Sequence, residues 1–195
     1  MKKIIFFSHN DNKIKEVKKL FEETGINILT LHDFPNISEP KETGSTFEEN
    51  AKIKSSYGYQ KIKLPCFADD SGICIGALDG FPGIKSKRFL KKNDDHKKTF
   101  KTIINKAKEL SNFNAYFQTS VSLTFDNESI FFKGVVHGKI SSEPKGGYGF
   151  HYDPIFIPEG SEKTFGEMSI EEKNKISHRA YAINKLKKFL IKSLN

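Results

Sequence analysis

Ile4-Ile5-Phe6-Phe7, a helical pattern from Asn10 to Glu23 and a second apolar run from Ile26 to Leu31 decide the fold class. The first run is apolar throughout, as suits a central strand covered on both faces. In the helical stretch Ile14, Val17, Leu20 and Phe21 share one face, while lysines and glutamates fill the other. Gly25 is the expected stop. Strand, helix and strand in that order predict an α/β fold rather than an all-β one.

Outward from this opening, residues 32–44 are polar, carry Pro35 and Pro40, and read as a surface loop. Ser45-x-x-Glu48 and Thr46-x-x-Glu49 are overlapping capping boxes, so a second helix is expected from Ser45 or Thr46 to Gln60. Residues 66–68 and 73–78 read as short strands broken by a turn at Asp69-Asp70-Ser71-Gly72, and residues 80–83 as a further turn. Phe100, Ile103, Ile104 and Ala107 give a helix from His96 to Leu110. Ala115, Phe117, Thr119, Val121, Leu123 and Phe125 then alternate with Tyr116, Gln118, Ser120, Ser122 and Thr124, a strand with two distinct faces. Asp126-Asn127-Glu128 turns it into a strand over 129–138, a pair expected to form a second lobe. Ile155-Phe156-Ile157 is another short strand. A final helix is expected from Ser177 to Leu194, its apolar side interrupted by Lys187.

The 195 residues suffice for one domain of two lobes, spanning 1–195. Lysine and arginine outnumber acids 32 to 24. The lysine pairs at 2–3, 18–19, 91–92, 97–98 and 187–188 are dispersed and have no aromatic-laced RNA motif beside them. They read as solvated surface that steers anionic substrates, with no stable nucleic-acid partner. Cys66 and Cys74 lack CxxC or zinc spacing and read as buried thiols in a reducing compartment. The start lacks the apolar core of a signal peptide, and no run reaches membrane length, so the expected location is the cytoplasm, with no membrane partner.

Five segments carry chemistry. Asp69 and Asp70 sit between apolar runs, where α/β proteins bind ligands. On extended backbone their side chains point opposite ways. Glu49, in the first turn of its helix, benefits from the N-terminal dipole, and with Asp70 it can hold Mg²⁺ beside phosphate. The simpler reading makes Asp-Asp-Ser-Gly an ordinary turn and Glu48 and Glu49 caps. Ser8, Asn10 and Lys13 lie at the start of the first helix, whose N–H groups suit phosphate; the segment is no Walker A loop. There the competing reading is an Asn cap and a surface lysine. Gly146-Gly147-Tyr148-Gly149 brings Phe150 or Tyr152 to stack on a base and Asp153 to accept from ring N–H groups, unless both aromatics belong to the core. Ser177-His178-Arg179 contacts a ligand or faces solvent. A GxSxG elbow and an HExxH pair are missing, so serine hydrolase and zinc protease readings have little support. Together the segments point to a Mg-dependent hydrolase acting on a nucleotide phosphate.

On these residues the chain resembles the inosine triphosphate pyrophosphatase family, also called Ham1-like. The matching pieces are Ser8 to Lys13, Thr43 to Ala51, Ala68 to Gly72, Pro82-Gly83-Ile84, Phe150 with Tyr152 to Phe156, and Glu172-Lys173-Asn174 with Ser177 to Ala180. The resemblance implies a mixed central sheet flanked by helices, two lobes with an active-site cleft between them, and a homodimer. It implies Mg²⁺-dependent hydrolysis of ITP, dITP and XTP to monophosphate and pyrophosphate, which cleanses the nucleotide pool. Asn10 and Lys13 would hold the triphosphate, helped by Ser8, Lys54 and Ser71. Glu49 and Asp70 would bind the metal, with Asp70 the base for water and Asp69 a neighbour shaping the centre. Phe150 would stack on the purine, and Asp153, Lys173, His178 and Arg179 would read its 6-oxo edge. The chain departs from the family pattern at His151 and Lys87, where small residues are expected, and at Leu90-Lys91-Lys92-Asn93, where a glycine-bearing stretch is. The alternatives are a Maf-like pyrophosphatase of different base preference and a non-catalytic basic nucleic-acid-binding module.

Overall fold

Lys3–Phe6 forms β1 and Asn27–Thr30 forms β2, paired in parallel with Ile4 opposite Ile28 and Phe6 opposite Thr30. Helix α1 (Asp11–Phe21) joins them, capped by Asn10. This computed structural model describes residues 3–92 and 95–192. Helix α2 (Phe47–Ile62) follows the polar loop, and β3 (Cys66–Ile75) returns parallel to β1, with Ile5 opposite Cys66. Then come α3 (Ser86–Lys92), α4 (His96–Glu109), β4 (Asn114–Phe125), β5 (Glu128–Ile140), β6 (Phe156–Pro158), α5 (Ile170–Ile176) and α6 (His178–Lys192). The sheet order is β2-β1-β3-β4-β5-β6, and β6 runs antiparallel to β5. The fold is mixed α/β, a central sheet flanked by helices, as expected.

The chain divides into two compact units. Unit 1 comprises Met1–Asp70, Thr119–Gly134 and Arg179–Asn195; unit 2 comprises Ser71–Gln118 and Val135–His178. In unit 1 both faces of β1 are covered, which is why its residues are apolar without alternation. Ile4 and Phe6 pack with Val17, Phe21, Phe67, Val121, Ile183 and Leu186, while Ile5 and Phe7 pack with Leu31, Cys66 and Ala68. Each fully buried Ile, Leu, Val or Phe among them contributes roughly 1.5–3 kcal/mol. In unit 2 Ile73, Ile75, Phe100, Ile103, Phe117, Phe156 and Phe165 share one core. Cys66 and Cys74 are both buried thiols, as read from their apolar runs, and burial pushes the Cys66 pKa up.

The structure corrects several expectations. The Asp-Asp-Ser-Gly turn does not form, because β3 runs unbroken through it. Extended backbone survives there because the two acids find partners on opposite sides and Gly72 admits a close approach. A Cβ at Gly72 would lie 2.2 Å from the Gly83 carbonyl oxygen. The polar face of β4, whose surroundings the alternation left open, is largely buried. Ser55 on α2 bonds the hydroxyls of Ser122 at 2.9 Å and Thr124 at 2.8 Å. Alternation assigns residues to faces, whereas only packing decides which face meets water. Nor is the polar side of α1 all solvent-facing, since Glu16 is buried. The seven-residue helices α3 and α5 were not anticipated. A capping box, Ser169 with Glu172, starts the latter. Lys187 passes along the apolar side of α6 and donates to the Leu20 carbonyl at 3.2 Å. Leu194 and Asn93 lie outside the described residues. No helix among the described residues is long and apolar enough to cross a membrane.

Candidate active site

In unit 1 the site grows from the pleat of β3. Adjacent residues on a strand project to opposite faces, so Asp69 and Asp70, both buried, enter different surroundings. Asp69 meets Lys13 Nζ of α1 at 2.9 Å and accepts from Arg179 Nε and Nη2 of α6 at 3.2 Å. Arg179 also donates through Nη1 to Glu16 of α1. Burial opposes the charge on Arg179, but Glu16 and Asp69 raise its pKa. Burial lowers that of Lys13 despite Asp69.

Asp70 has weaker compensation. Asn50 Nδ2 donates to its Oδ2 at 3.1 Å, and Lys54 Nζ stands 3.9 Å from its Oδ1. Lys54 itself donates to Glu42 Oε1 and to the Asp69 carbonyl, each at 2.7 Å. Burial raises the Asp70 pKa further than Lys54 and Lys13 lower it. On Lys54, burial is outweighed by Asp70, Glu42 and Asp69, so its pKa rises and it stays charged. The pair is therefore unequal. One acid is neutralised by two cations, and its neighbour is buried with a raised affinity for a proton, the state of a group poised to accept one.

At the start of α1, Asn10 Oδ1 accepts from the Lys13 backbone N–H at 3.1 Å, and Ser8 Oγ accepts from Asn10 N–H at 3.1 Å. Asn10 is an N-cap, but the Lys13 side chain runs inward to Asp69 rather than into solvent. Thr46 caps α2 by accepting from Glu49 N–H at 3.1 Å. The Glu49 side chain turns to Ser45, accepting from its N–H at 2.7 Å and its hydroxyl at 2.8 Å. The Ser45 N–H is the chief cause holding the exposed Glu49 below its usual pKa.

Among the described residues, no three His, Cys, Asp or Glu side chains group as metal ligands. Mg²⁺ asks for less than that, since it binds through one or two carboxylates and takes its other oxygens from phosphate and water. Asp70 and Glu49 are both hard oxygen donors; Asn50, next to Glu49 on α2, donates to Asp70, while the Glu49 carboxylate itself is turned to Ser45.

In unit 2 the second group forms around Asp153, buried at the start of a 3₁₀ turn. Its Oδ2 accepts from Lys173 Nζ at 2.6 Å and from the Phe150 N–H at 2.7 Å. Gly149 is required here, because a Cβ would come within 2.3 Å of that oxygen and its φ is +74°. Lys173 Nζ lies 4.8 Å from the Phe150 ring centroid, a cation–π distance. Phe150 is half-buried, whereas Tyr152 is 1 % exposed and donates its hydroxyl to the Ser86 carbonyl at 3.1 Å. Of the two aromatics, Phe150 is the one with a face to offer. His178 is buried and stacked on Phe117 with centroids 4.5 Å apart. Ser71 is half-buried on β3, and Lys87 and Arg88 are exposed, so Lys87 carries its charge into solvent.

The contacts thus gather Lys13, Lys54, Asp70 and Arg179 with Asp69 in unit 1, and Phe150, Asp153 and Lys173 in unit 2. Sequence reasoning missed Glu16, Glu42 and Asn50. Glu16 lies three residues after Lys13 and beside Val17, a placement that signals an inward acid. Asn50 follows Glu49 directly. Glu42, in the polar loop, gives no local sign of its bond to Lys54.

Comparison with known proteins agrees across nearly the whole chain. The Ham1 family model matches residues 4–189. The chain is similar to a dITP/XTP pyrophosphatase of Halalkalibacterium halodurans, 39% identical over 193 residues covering 97% of this chain and 100% of that protein. It is 38% identical to the dITP/XTP pyrophosphatase of Bacillus subtilis, covering 97% and 98%. The solved structure of a HAM1 protein from Coxiella burnetii superposes with a TM-score of 0.87 at 34% identity, covering 98% of this chain and 100% of that one. The Staphylococcus aureus Ham1 protein does so at 0.85 and 36%, with the same coverage.

Proposed function

The chain belongs to the Ham1 family, and from that premise we propose that it is a pyrophosphatase of non-canonical purine nucleoside triphosphates. It takes ITP, dITP or XTP, cleaves between the α- and β-phosphorus atoms, and releases the nucleoside monophosphate and pyrophosphate. The observation that carries this reading is the inequality of Asp69 and Asp70: one acid held by Lys13 and Arg179, the next buried with a raised pKa.

In this mechanism Asp70 orients a water and takes its proton as the oxygen bonds to the α-phosphorus. The bond from that phosphorus to the bridging oxygen breaks, and the electron pair leaves with pyrophosphate. Lys13 and Lys54 offset the negative charge that gathers there, while Asn10, Ser8 and Ser71 donate to phosphate oxygens. Glu49 and Asp70 would hold Mg²⁺, which when bound neutralises phosphate charge and draws the acids toward their ionised forms. Arg179 holds Asp69 through Nε and Nη2 and is shared with Glu16, so it acts through the acid network.

Phe150 stacks on the purine. Asp153, Lys173 and His178 match a 6-oxo group and its ring N–H. Adenine presents an amino group instead and leaves buried polar groups unmatched, which is how such sites reject a near-isostere. The 2-amino group excludes GTP. The same reading makes the protein a homodimer, measurable by sedimentation equilibrium.

The test is product analysis over ITP, XTP, dITP, ATP and GTP with Mg²⁺. Monophosphate and pyrophosphate from the first three, with little from the last two, is the expected result. Orthophosphate and diphosphate as products would refute attack at the α-phosphorus. Salt-sensitive nucleic-acid binding without turnover would favour a binding module instead.

A further inference from the structure

We propose that His151 is a positioning residue that sets the plane of the Phe150 ring and thereby the affinity for the base end of the substrate. This rests on the reading of Phe150 as the base-stacking ring. His151 has φ +54°, the left-handed region, which a residue with a Cβ enters at a cost of about 1–2 kcal/mol. Strain of this kind persists where the surroundings fix it, and it marks functional positions more often than chance. Gly149, two residues earlier, is left-handed too, so the chain turns sharply on both sides of Phe150. The turn at 151 folds the imidazole back onto the preceding ring. The centroids are 4.9 Å apart and the planes 69° from parallel, an edge-to-face contact.

Phe150 is thus held from several directions. Its N–H is tied to Asp153 Oδ2 at 2.7 Å, Lys173 Nζ stands 4.8 Å from its centroid, and the His151 ring packs against it edge-to-face. Tyr152 anchors the segment from the other end, buried and bonded to the Ser86 carbonyl. A half-buried phenylalanine left to rotate loses rotamer entropy each time a base stacks on it, and a ring already held does not. Glycine at 151 would suit the backbone and leave the ring without its lateral contact.

The experiment uses His151→Gly and His151→Asn, both of which tolerate the left-handed backbone and lack the ring's edge. Calorimetry measures binding of IMP and, separately, of pyrophosphate; steady-state kinetics gives KM and kcat for ITP. For both variants the IMP Kd and the ITP KM should rise roughly two- to tenfold. Pyrophosphate affinity and kcat should hold, and the melting temperature should not fall. IMP affinity equal to wild type in both variants would overturn the proposal. So would equal losses for IMP and pyrophosphate, which would mark a general structural role. Wild-type protein that hydrolyses ITP but shows no change on substitution refutes the role of His151 alone. Wild-type protein that binds no IMP refutes the reading of the site and this inference with it.

Discussion

Asp69→Asn and Asp70→Asn differ by one position and by nothing in shape, yet the two should separate stability from activity. Asp69 is the shared counter-charge of Lys13, 2.9 Å away, and of Arg179, 3.2 Å away. Neutralising it leaves two cations facing an amide. Removing one partner of a buried pair costs about 3–5 kcal/mol. Here Arg179 keeps Glu16, and the Lys13 side chain is 14% exposed, so the lower end, about 3 kcal/mol, is the better figure. For a chain of this size that lowers the melting temperature by about 6–12 °C. Asp70 is the opposite case. Lys54 at 3.9 Å supplies roughly 4 kcal/mol of gross attraction at an effective dielectric of about 20. The pKa is nevertheless raised, so burial costs the carboxylate more than its neighbours return. Replacing it with an amide should leave the melting temperature unchanged or slightly higher. Turnover should fall about 10²- to 10⁴-fold, the usual contribution of a general base. Scanning fluorimetry and pyrophosphate release measure the two quantities. An Asp70→Asn protein that melts as early as Asp69→Asn would refute the reasoning, as would Asp69→Asn melting with the wild type.

Other perturbations follow from single contacts. Because the Asp70 pKa is raised on folding, its ionisation costs folded stability as pH rises from the unfolded value near 3.9 toward the folded one. The stability advantage of Asp70→Asn in metal-free buffer should therefore grow over that window; equal pH–stability curves would contradict this. Lys173→Met removes the cation that pairs with buried Asp153 at 2.6 Å and should cost about 3–5 kcal/mol in denaturant unfolding. Gly72→Ala drives a methyl to 2.2 Å from the Gly83 oxygen and 2.6 Å from Ser86 Oγ, an overpacking worth about 1–3 kcal/mol; an unchanged melting temperature would show that the 83–86 turn yields freely.

Much of this was legible in the order of residues. Ile4 to Phe7 announces a strand covered on both sides because nothing polar interrupts it, and Thr46 with Glu49 marks a helix start because the unpaired N–H groups there need an oxygen. The turn at Asp69 to Gly72 was misread because the residues that favour turns are also those that bind ions when held straight. Local preference weighs about 1 kcal/mol, and the partners of the two acids outweigh it. The choice between Phe150 and Tyr152 lay open in the chain. The structure buries Tyr152, with its hydroxyl on the Ser86 carbonyl, and leaves Phe150 half-buried.

Periodicity, caps and glycine placement act between near neighbours, so the string of residues alone determined the α/β class and most elements. It did not determine which of two adjacent acids would be neutralised. That depends on Lys13, Glu16, Lys54 and Arg179, up to 163 residues apart where Glu16 meets Arg179. Charge acts through space and burial, and only the folded chain sets both.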